Sequence, residues 1–255
     1  MEFAVLGSGS KGNCSLVRSD NALLMVDCGF SVKETEARLT NLGVTPTEVS
    51  AILVTHEHSD HIAGVAKFAK KHKTPVYLTH GTEQYFHAKA ISLEAIDVTS
   101  IQLEQVFHIN GVQVTAVPVP HDAKEPCQFI FETPQTSLGM LSDLGHISEI
   151  VAKAYSRCRV LYIEFNHCKD MLAAGPYPAM LKRRVGGHWG HLSNCQARAF
   201  VDSLRGGPLE KLVVGHISEK NNSEPVVQEA LQGLDFLQRI SLSPQSAVHP
   251  WLNAV

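Results

Sequence analysis

Thr55-His56-Glu57-His58-Ser59-Asp60-His61 is the stretch on which the reading of this chain turns. It follows an apolar run, Ala51–Thr55, that reads as a buried strand. It precedes Ile62, Val65, Ala66 and Ala69, whose helical spacing predicts an amphipathic helix. A strand end frees the backbone to turn, so several side chains of one short loop can converge on a point. Ligand sites of α/β sheets gather at such ends. His56 and His58 can share one ion, while Asp60 and His61 are placed to turn toward a second. Imidazole and carboxylate donors suit Zn²⁺, Mn²⁺ or Fe better than Ca²⁺ or Mg²⁺.

One loop cannot complete two coordination shells, so further donors are expected at other strand ends. His121 follows the β-prone run Val112–Val119, Asp143 follows Ser137–Leu141, and His216 follows Leu212–Val214. Asp143 has two oxygens and could bridge two ions. Metals about 3.5–4 Å apart are the arrangement that clamps both the attacking and the leaving oxygen of a displacement.

The rest of the chain alternates strand and helix patterns, which predicts sheets covered by helices on their outer faces. Phe3–Leu6, Ser15–Val17, Leu23–Val26, Val76–Thr79, Gln128–Glu132 and Val160–Glu164 read as strands. Ser31 with Glu34, and Ser193 with Gln196, have the spacing of helix-opening capping boxes. Val227, Ala230, Leu231 and Leu234 mark a late helix. No domain boundary is visible, so residues 1–255 are expected to form one domain.

Composition narrows the class. The chain has 255 residues, 44% of them hydrophobic and 18% charged, ordinary usage for a folded protein. A net charge of −3 excludes a strongly basic, histone-like binder. Fourteen histidines supply an unusual number of metal-ligand and acid–base groups. With no signal-peptide pattern and no long apolar stretch, a cytoplasmic protein that does not enter membranes is expected. The six cysteines form no CxxC pair and are expected to be reduced and mostly buried.

The order H-x-H-x-D-H, then a distant His, an Asp and a His, resembles the metallo-β-lactamase fold. The resemblance implies an α/β (α+β) chain folded as a four-layer αββα sandwich. It also implies a dinuclear site with His56, His58 and His121 on one ion, Asp60, His61 and His216 on the other, and Asp143 bridging. Further segments are similar to the WalJ (YycJ) subgroup of metallo-hydrolases: Gly7-Ser8-Gly9-Ser10-Lys11-Gly12-Asn13, Val26-Asp27-Cys28-Gly29, His121-Asp122-Ala123, Glu164-Phe165-Asn166-His167, Gly175-Pro176-Tyr177-Pro178, Gly190-His191-Leu192-Ser193-Asn194 and Gly215-His216-Ile217-Ser218. The subgroup mostly has Ser at Phe165 and Asp at Cys168, departures expected to touch the substrate side. The resemblance implies a 5′-to-3′ DNA exonuclease, with nucleic acid as partner and DNA favoured over RNA. It leaves open whether the chain works as monomer or homodimer.

Gly190-His191-Leu192-Ser193 also resembles the corresponding region of ribonuclease Z, which implies that His191 protonates the leaving group or contacts a phosphate. Asp60 is expected to double as ligand and proton acceptor. Two divalent cations, Zn²⁺, Mn²⁺ or Fe, would bring the pKa of a shared water from 15.7 toward about 7. Substrate contacts are expected from Ser10, Lys11, Asn13, Asn166, His167, Ser193 and Asn194. Two basic runs, Lys67/Lys70/Lys71/Lys73 and Lys182-Arg183-Arg184, could track a nucleic-acid backbone, the first reading more naturally as a solvated helix face. Asp27 is expected to bond backbone beneath the metal loop, and the Phe and Tyr residues to pack in the core. The stretch from Asp143 to His216 leaves no space for the β-CASP insertion of ribonuclease J-type enzymes. Two rivals remain: a small-molecule ester, thioester or lactone hydrolase on the same fold, and a metal-binding regulatory protein with little turnover.

Overall fold

The structure, a computed structural model, describes residues 1–19, 21–243, 245 and 248–254. Two seven-stranded mixed sheets lie face to face among the described residues. In chain order the first holds β1 (Glu2–Gly7), β2 (Cys14–Ser19), β3 (Ala22–Val26), β4 (Ala51–Leu53), β5 (Val76–Thr79) and β6 (Val98–Ile101). The second holds β7 (Val106–Ile109), β8 (Val112–Pro118), β9 (Cys127–Glu132), β10 (Ser137–Leu141), β11 (Val160–Glu164), β12 (Lys211–Gly215) and β13 (Arg239–Leu242). The last strand, β14 (His249–Asn253), returns to the first sheet and pairs antiparallel with β1.

Both sheets are built alike. An antiparallel meander (β1 to β3, β7 to β10) runs into parallel strands (β3 to β6, β10 to β13). Parallel strands need helical crossovers, and those crossovers coat the outer faces. The first sheet is covered by α1 (Val32–Asn41), α2 (Ser59–Ile62), α3 (Val65–His72) and α4 (His80–Ala88). The second half of the chain adds α5 (Glu149–Tyr155), α6 (Lys169–Ala174), α7 (Ala179–Val185), α8 (Asn194–Ser203) and α9 (Glu224–Ala230).

Three apolar clusters follow from this layering. Phe3, Leu24 and Leu53 meet Phe129, Phe131 and Met140 between the sheets. Phe68 and Phe86 pack helices onto the outer face of the first sheet, and Tyr155, Phe200 and Val201 onto the second. This is the αββα sandwich. All six cysteines are free, four of them buried. No helix of the described residues is long and apolar enough to cross a membrane.

Where expectation and structure differ, the cause is local. The helix expected through Ile62, Val65, Ala66 and Ala69 is broken: Ile62 closes α2 and Val65 opens α3. Gly64 sits at the break, donating its N–H to the Cys28 carbonyl at 2.8 Å, and a Cβ there would stand 2.2 Å from the Phe30 carbonyl oxygen. The capping box at Ser193 and Gln196 forms fully. At Ser31 only half of it forms, because Glu34 turns to Arg38 at 2.7 Å. The late helix is shorter than its apolar spacing, with Leu231 and Leu234 buried beyond its end. Phe165, expected near substrate, is fully buried in the core behind the second sheet.

Candidate metal centre

Each expected ligand stands just past a strand, at one edge of the sandwich. His56 and His58 lie in the loop after β4, and Asp60 and His61 in the single turn of α2. His121, Asp143 and His216 follow β8, β10 and β12. Asp143 and His216 hold left-handed backbone, φ 55° and 50°, as does Asp27 after β3, φ 59°. Non-glycine residues in that region cost of order 1–3 kcal/mol each and concentrate where a side chain must be aimed.

Hydrogen bonds fix which ring nitrogen points inward. Asp27 Oδ1 accepts the Thr55 N–H at 2.8 Å, and its Oδ2 accepts the Thr55 hydroxyl at 2.8 Å and His61 Nδ1 at 2.7 Å. The Thr55 oxygen in turn receives His56 Nδ1 at 3.0 Å. His121 Nδ1 donates to the Gly190 carbonyl at 3.2 Å. His56, His61 and His121 therefore all present Nε2, the arrangement in which outer partners orient metal-binding imidazoles.

The inward nitrogens crowd together. His56 Nε2 lies 3.0 Å from His58 Nδ1, which lies 3.3 Å from His121 Nε2. His61 Nε2 is 3.7 Å from both Asp60 Oδ2 and Asp143 Oδ2, and His216 Nδ1 is 3.4 Å from Asp143 Oδ2. Three imidazole nitrogens at this spacing cannot satisfy one another through a single ring proton, and buried His216 Nδ1 has no hydrogen-bond partner. A cation relieves both conflicts, so the residues fit a metal. Donor atoms within 4.8 Å of one another group as His56/His58/His121, His56/His61/Asp143 and Asp143/Glu164/His191/His216. The clustering is that of a dinuclear metal site.

The electrostatics agree. Burial pulls His56 far below the ordinary imidazole range, with the neighbouring histidines adding to it, and brings His121 down to about 4. Both are neutral, the form that ligates. Burial also opposes charge on His61 and His216, but Asp143 overrides it, with Asp27 helping at His61. His61 rises to about 10 and His216 to about 9. Asp143 is driven well below the carboxylate range despite burial, by the charges of His216 and His61. Positive charge beside Asp143 is what this pocket stabilises.

Glu164, the last residue of β11, has no role in the sequence reading beyond its motif. Its Oε1 accepts the N–H groups of Leu144 at 3.2 Å and Leu192 at 2.9 Å, and its Oε2 receives His191 Nδ1 at 3.0 Å. With both oxygens engaged, Glu164 orients His191 rather than ligating. The available signal was a carboxylate closing the apolar run Val160–Ile163. Glu57, between the two histidines, accepts the Lys124 N–H at 2.9 Å and so ties the His121 loop to the metal loop.

Above the cluster opens a cleft of about 490 Å³, lined among others by Ser10, Asp60, Tyr85, Tyr177, Asn166, Arg184, His191 and Asn221. Of the expected substrate contacts, Ser10 and Asn166 line it. Lys11 instead pairs with Glu219 at 2.9 Å on the surface. Asn13 Oδ1 accepts the Gly9 N–H at 2.7 Å, and its amide donates to Asp60 Oδ2 at 3.2 Å, so it braces the metal loop. Ser8 behaves likewise, its hydroxyl accepting the His216 N–H at 2.7 Å. Ser193 caps α8. Asn194 forms a reciprocal amide pair with Asn222 at 3.0 and 2.8 Å. His167 is buried, its pKa lowered by burial to about 4. Core packing alone does not account for the tyrosines, since Tyr85 and Tyr177 face the cleft.

Known proteins bear on this site through sequence, fold and family. The chain is 31% identical over 228 residues to an exodeoxyribonuclease, YycJ, of Bacillus anthracis, covering 89% of this chain and 86% of the relative. It is 32% identical over 225 residues to the exodeoxyribonuclease WalJ of Streptococcus pneumoniae, covering 87% and 83%. Its fold matches the metallo-β-lactamase fold protein YhfI of Bacillus subtilis with a TM-score of 0.73 at 15% identity, covering 97% of this chain and 98% of that one. The Beta-lactamase superfamily domain matches residues 23–217, from β3 through the His216 loop. Fold, donor cluster and match coincide: the chain belongs to the β-lactamase superfamily and is a metal-dependent hydrolase on the metallo-β-lactamase fold.

Proposed function

We propose that the chain hydrolyses phosphodiester bonds of nucleic acid, as a DNA exonuclease working from the 5′ end. The observation that carries this reading is His191. Its Nδ1 lies 3.0 Å from Glu164 Oε2 and 3.7 Å from Asp143 Oδ1, at the edge of the donor cluster. A basic alkoxide leaving group needs a proton, whereas a thiolate, with its low pKa, does not. A proton donor anchored beside the metals favours the former. The two exodeoxyribonuclease relatives, similar along more than four-fifths of their length, support the choice of DNA.

His56, His58 and His121 would hold one cation and Asp60, His61 and His216 the other, with Asp143 between. The chemistry the cations supply when bound is Lewis acidity toward a phosphoryl oxygen and toward water. Asp60, with its carboxylate steadied by Asn13 and open to the cleft, accepts the proton lost by the attacking water. Glu164 accepts the Nδ1–H of His191, so the proton that passes to the departing oxygen is the Nε2–H of the doubly protonated ring, which is left neutral afterwards. Asn166 and Ser10 line the wall where the strand lies.

The test is incubation with Mn²⁺ or Zn²⁺ and end-labelled single- and double-stranded DNA and RNA, with Asp143→Ala alongside. Metal-dependent release of nucleotides from the 5′ end, lost in the variant, is the expected result. Metal-loaded protein that leaves every strand intact but turns over a small ester or thioester would overturn the reading.

A further inference from the structure

A cation lines the cleft, and an exposed aromatic residue, Trp189, directly precedes Gly190, which also lines it. Arg184, near the end of α7, is the single Lys or Arg among the described residues lining the cleft. Its neighbour Lys182 turns away to the Ala173 carbonyl at 2.6 Å. Asp122 Oδ2 takes Arg184 Nε at 2.5 Å, and the remaining guanidinium N–H groups have no protein acceptor among the described residues. Trp189 follows after the last helical residue, Val185, and three residues of loop, and leaves 61% of its surface exposed. Its carbonyl receives the Asp122 N–H at 3.0 Å. One residue thus holds both: Asp122 by its carboxylate and Trp189's backbone by its N–H. That residue adjoins His121, which itself donates to Gly190.

We infer that Arg184 and Trp189 grip one unpaired nucleotide beside the scissile bond, the guanidinium taking a phosphate and the indole stacking on a base. This rests on the nuclease reading above. An arginine whose fork is held at Nε keeps the paired N–H groups that match phosphate oxygens. A large exposed indole is unusual on a surface, and every unstacked base offers it a flat face. Because Asp122 ties both groups to the His121 loop, the grip fixes the strand's register relative to the metals.

The test is binding of a fluorescein-labelled oligothymidylate of about 12 nucleotides to the metal-free protein, followed by anisotropy over a salt series and by tryptophan emission. Trp189→Ala is expected to weaken binding at least fivefold and remove most of the quenching, while Trp189→Phe stays within about threefold of wild type. Arg184→Ala is expected to lower the salt slope by about 0.7, and Arg184→Lys to restore it. Variants that bind with wild-type affinity and slope, while the metal-loaded wild type still cleaves DNA, overturn the grip and leave the nuclease reading standing. A wild type that neither binds nor cleaves any strand overturns both. If sedimentation detects a dimer that Trp189→Ala dissolves without loss of strand affinity, the exposed indole belongs to an interface between copies and the grip is overturned.

Discussion

His61 and Asp27 meet at 2.7 Å beneath the metal loop, and that contact decides which nitrogen of His61 faces the cations. Asp27 lies far earlier in the chain, at the end of a neighbouring strand, and its carboxylate also receives the Thr55 N–H and hydroxyl. Parallel pairing of β3 with β4 brings the two strand ends side by side, so the sheet itself delivers the carboxylate to the histidine. Asp27→Asn keeps the shape but removes the charge and one acceptor. Metal affinity is expected to fall about 10- to 100-fold, the usual cost of losing an outer partner of a ligating imidazole. Competition with a chromogenic chelator reads this directly, and unaltered affinity would reduce Asp27 to a backbone brace.

Proton release should accompany metal loading. His61 titrates at about 10 and His216 at about 9, so both carry protons at pH 7.5. Each must lose one to ligate, giving about two protons per chain. Titration calorimetry in buffers of different ionisation heat counts them, and a count near zero would contradict the role of these two rings. Metal affinity is therefore expected to climb from pH 6 toward 9. Metal-free stability runs the other way: the raised pKa values give a contribution fully present below about 6.5 and lost as pH rises through 9 and 10.

Glu164→Gln is expected to retain both metals and lower kcat by about 10- to 100-fold. The neutral side chain can still accept from Leu192 but no longer steadies the charge on His191. His191→Ala should lower kcat by about 10²-fold or more. A Glu164 variant with reduced metal content and wild-type kcat per bound metal would make the residue structural.

Much of the fold was legible because strands announced themselves. Val76–Thr79, Ser137–Leu141 and Val160–Glu164 are apolar runs bounded by turn residues, and each became a strand with those limits. α4, α6 and α7 were not legible. α6 is short and α7 buries no residue fully, so no apolar stripe marks either, and α4 buries only Thr82 and Phe86. Local patterning likewise brought His56, His58, Asp60 and His61 together, since one loop carries them all. Glu164 and Asp27 act through partners on other strands, and only the sheet order brings these into reach. Lys11 misled for the same reason: a lysine in a glycine-rich turn resembles a phosphate contact until Glu219 is seen beside it.

Gly29 offers the last test, because it separates a glycine required by packing from one required by backbone angle. Asn13 donates its N–H to the Asp60 carbonyl at 2.7 Å, and the Gly29 N–H closes the circuit on the Asn13 carbonyl at 3.0 Å. A Cβ on Gly29 would stand 1.7 Å from the Asp60 carbonyl oxygen. That neighbour is backbone and cannot rotate away, so Gly29→Ala must displace Asp60 itself. Gly43, past the end of α1, has open space around it but φ +68°. Gly43→Ala is expected to cost about 1 kcal/mol of stability through backbone strain alone, with metals and turnover retained. Gly29→Ala is expected to lose metal at the Asp60 side and nearly all hydrolysis. Metal content by atomic emission, set beside thermal melting of both variants, distinguishes them. Full metal content in Gly29→Ala would mean that the loop can shift without moving its ligands, and that Asp60 is not held as rigidly as this geometry requires.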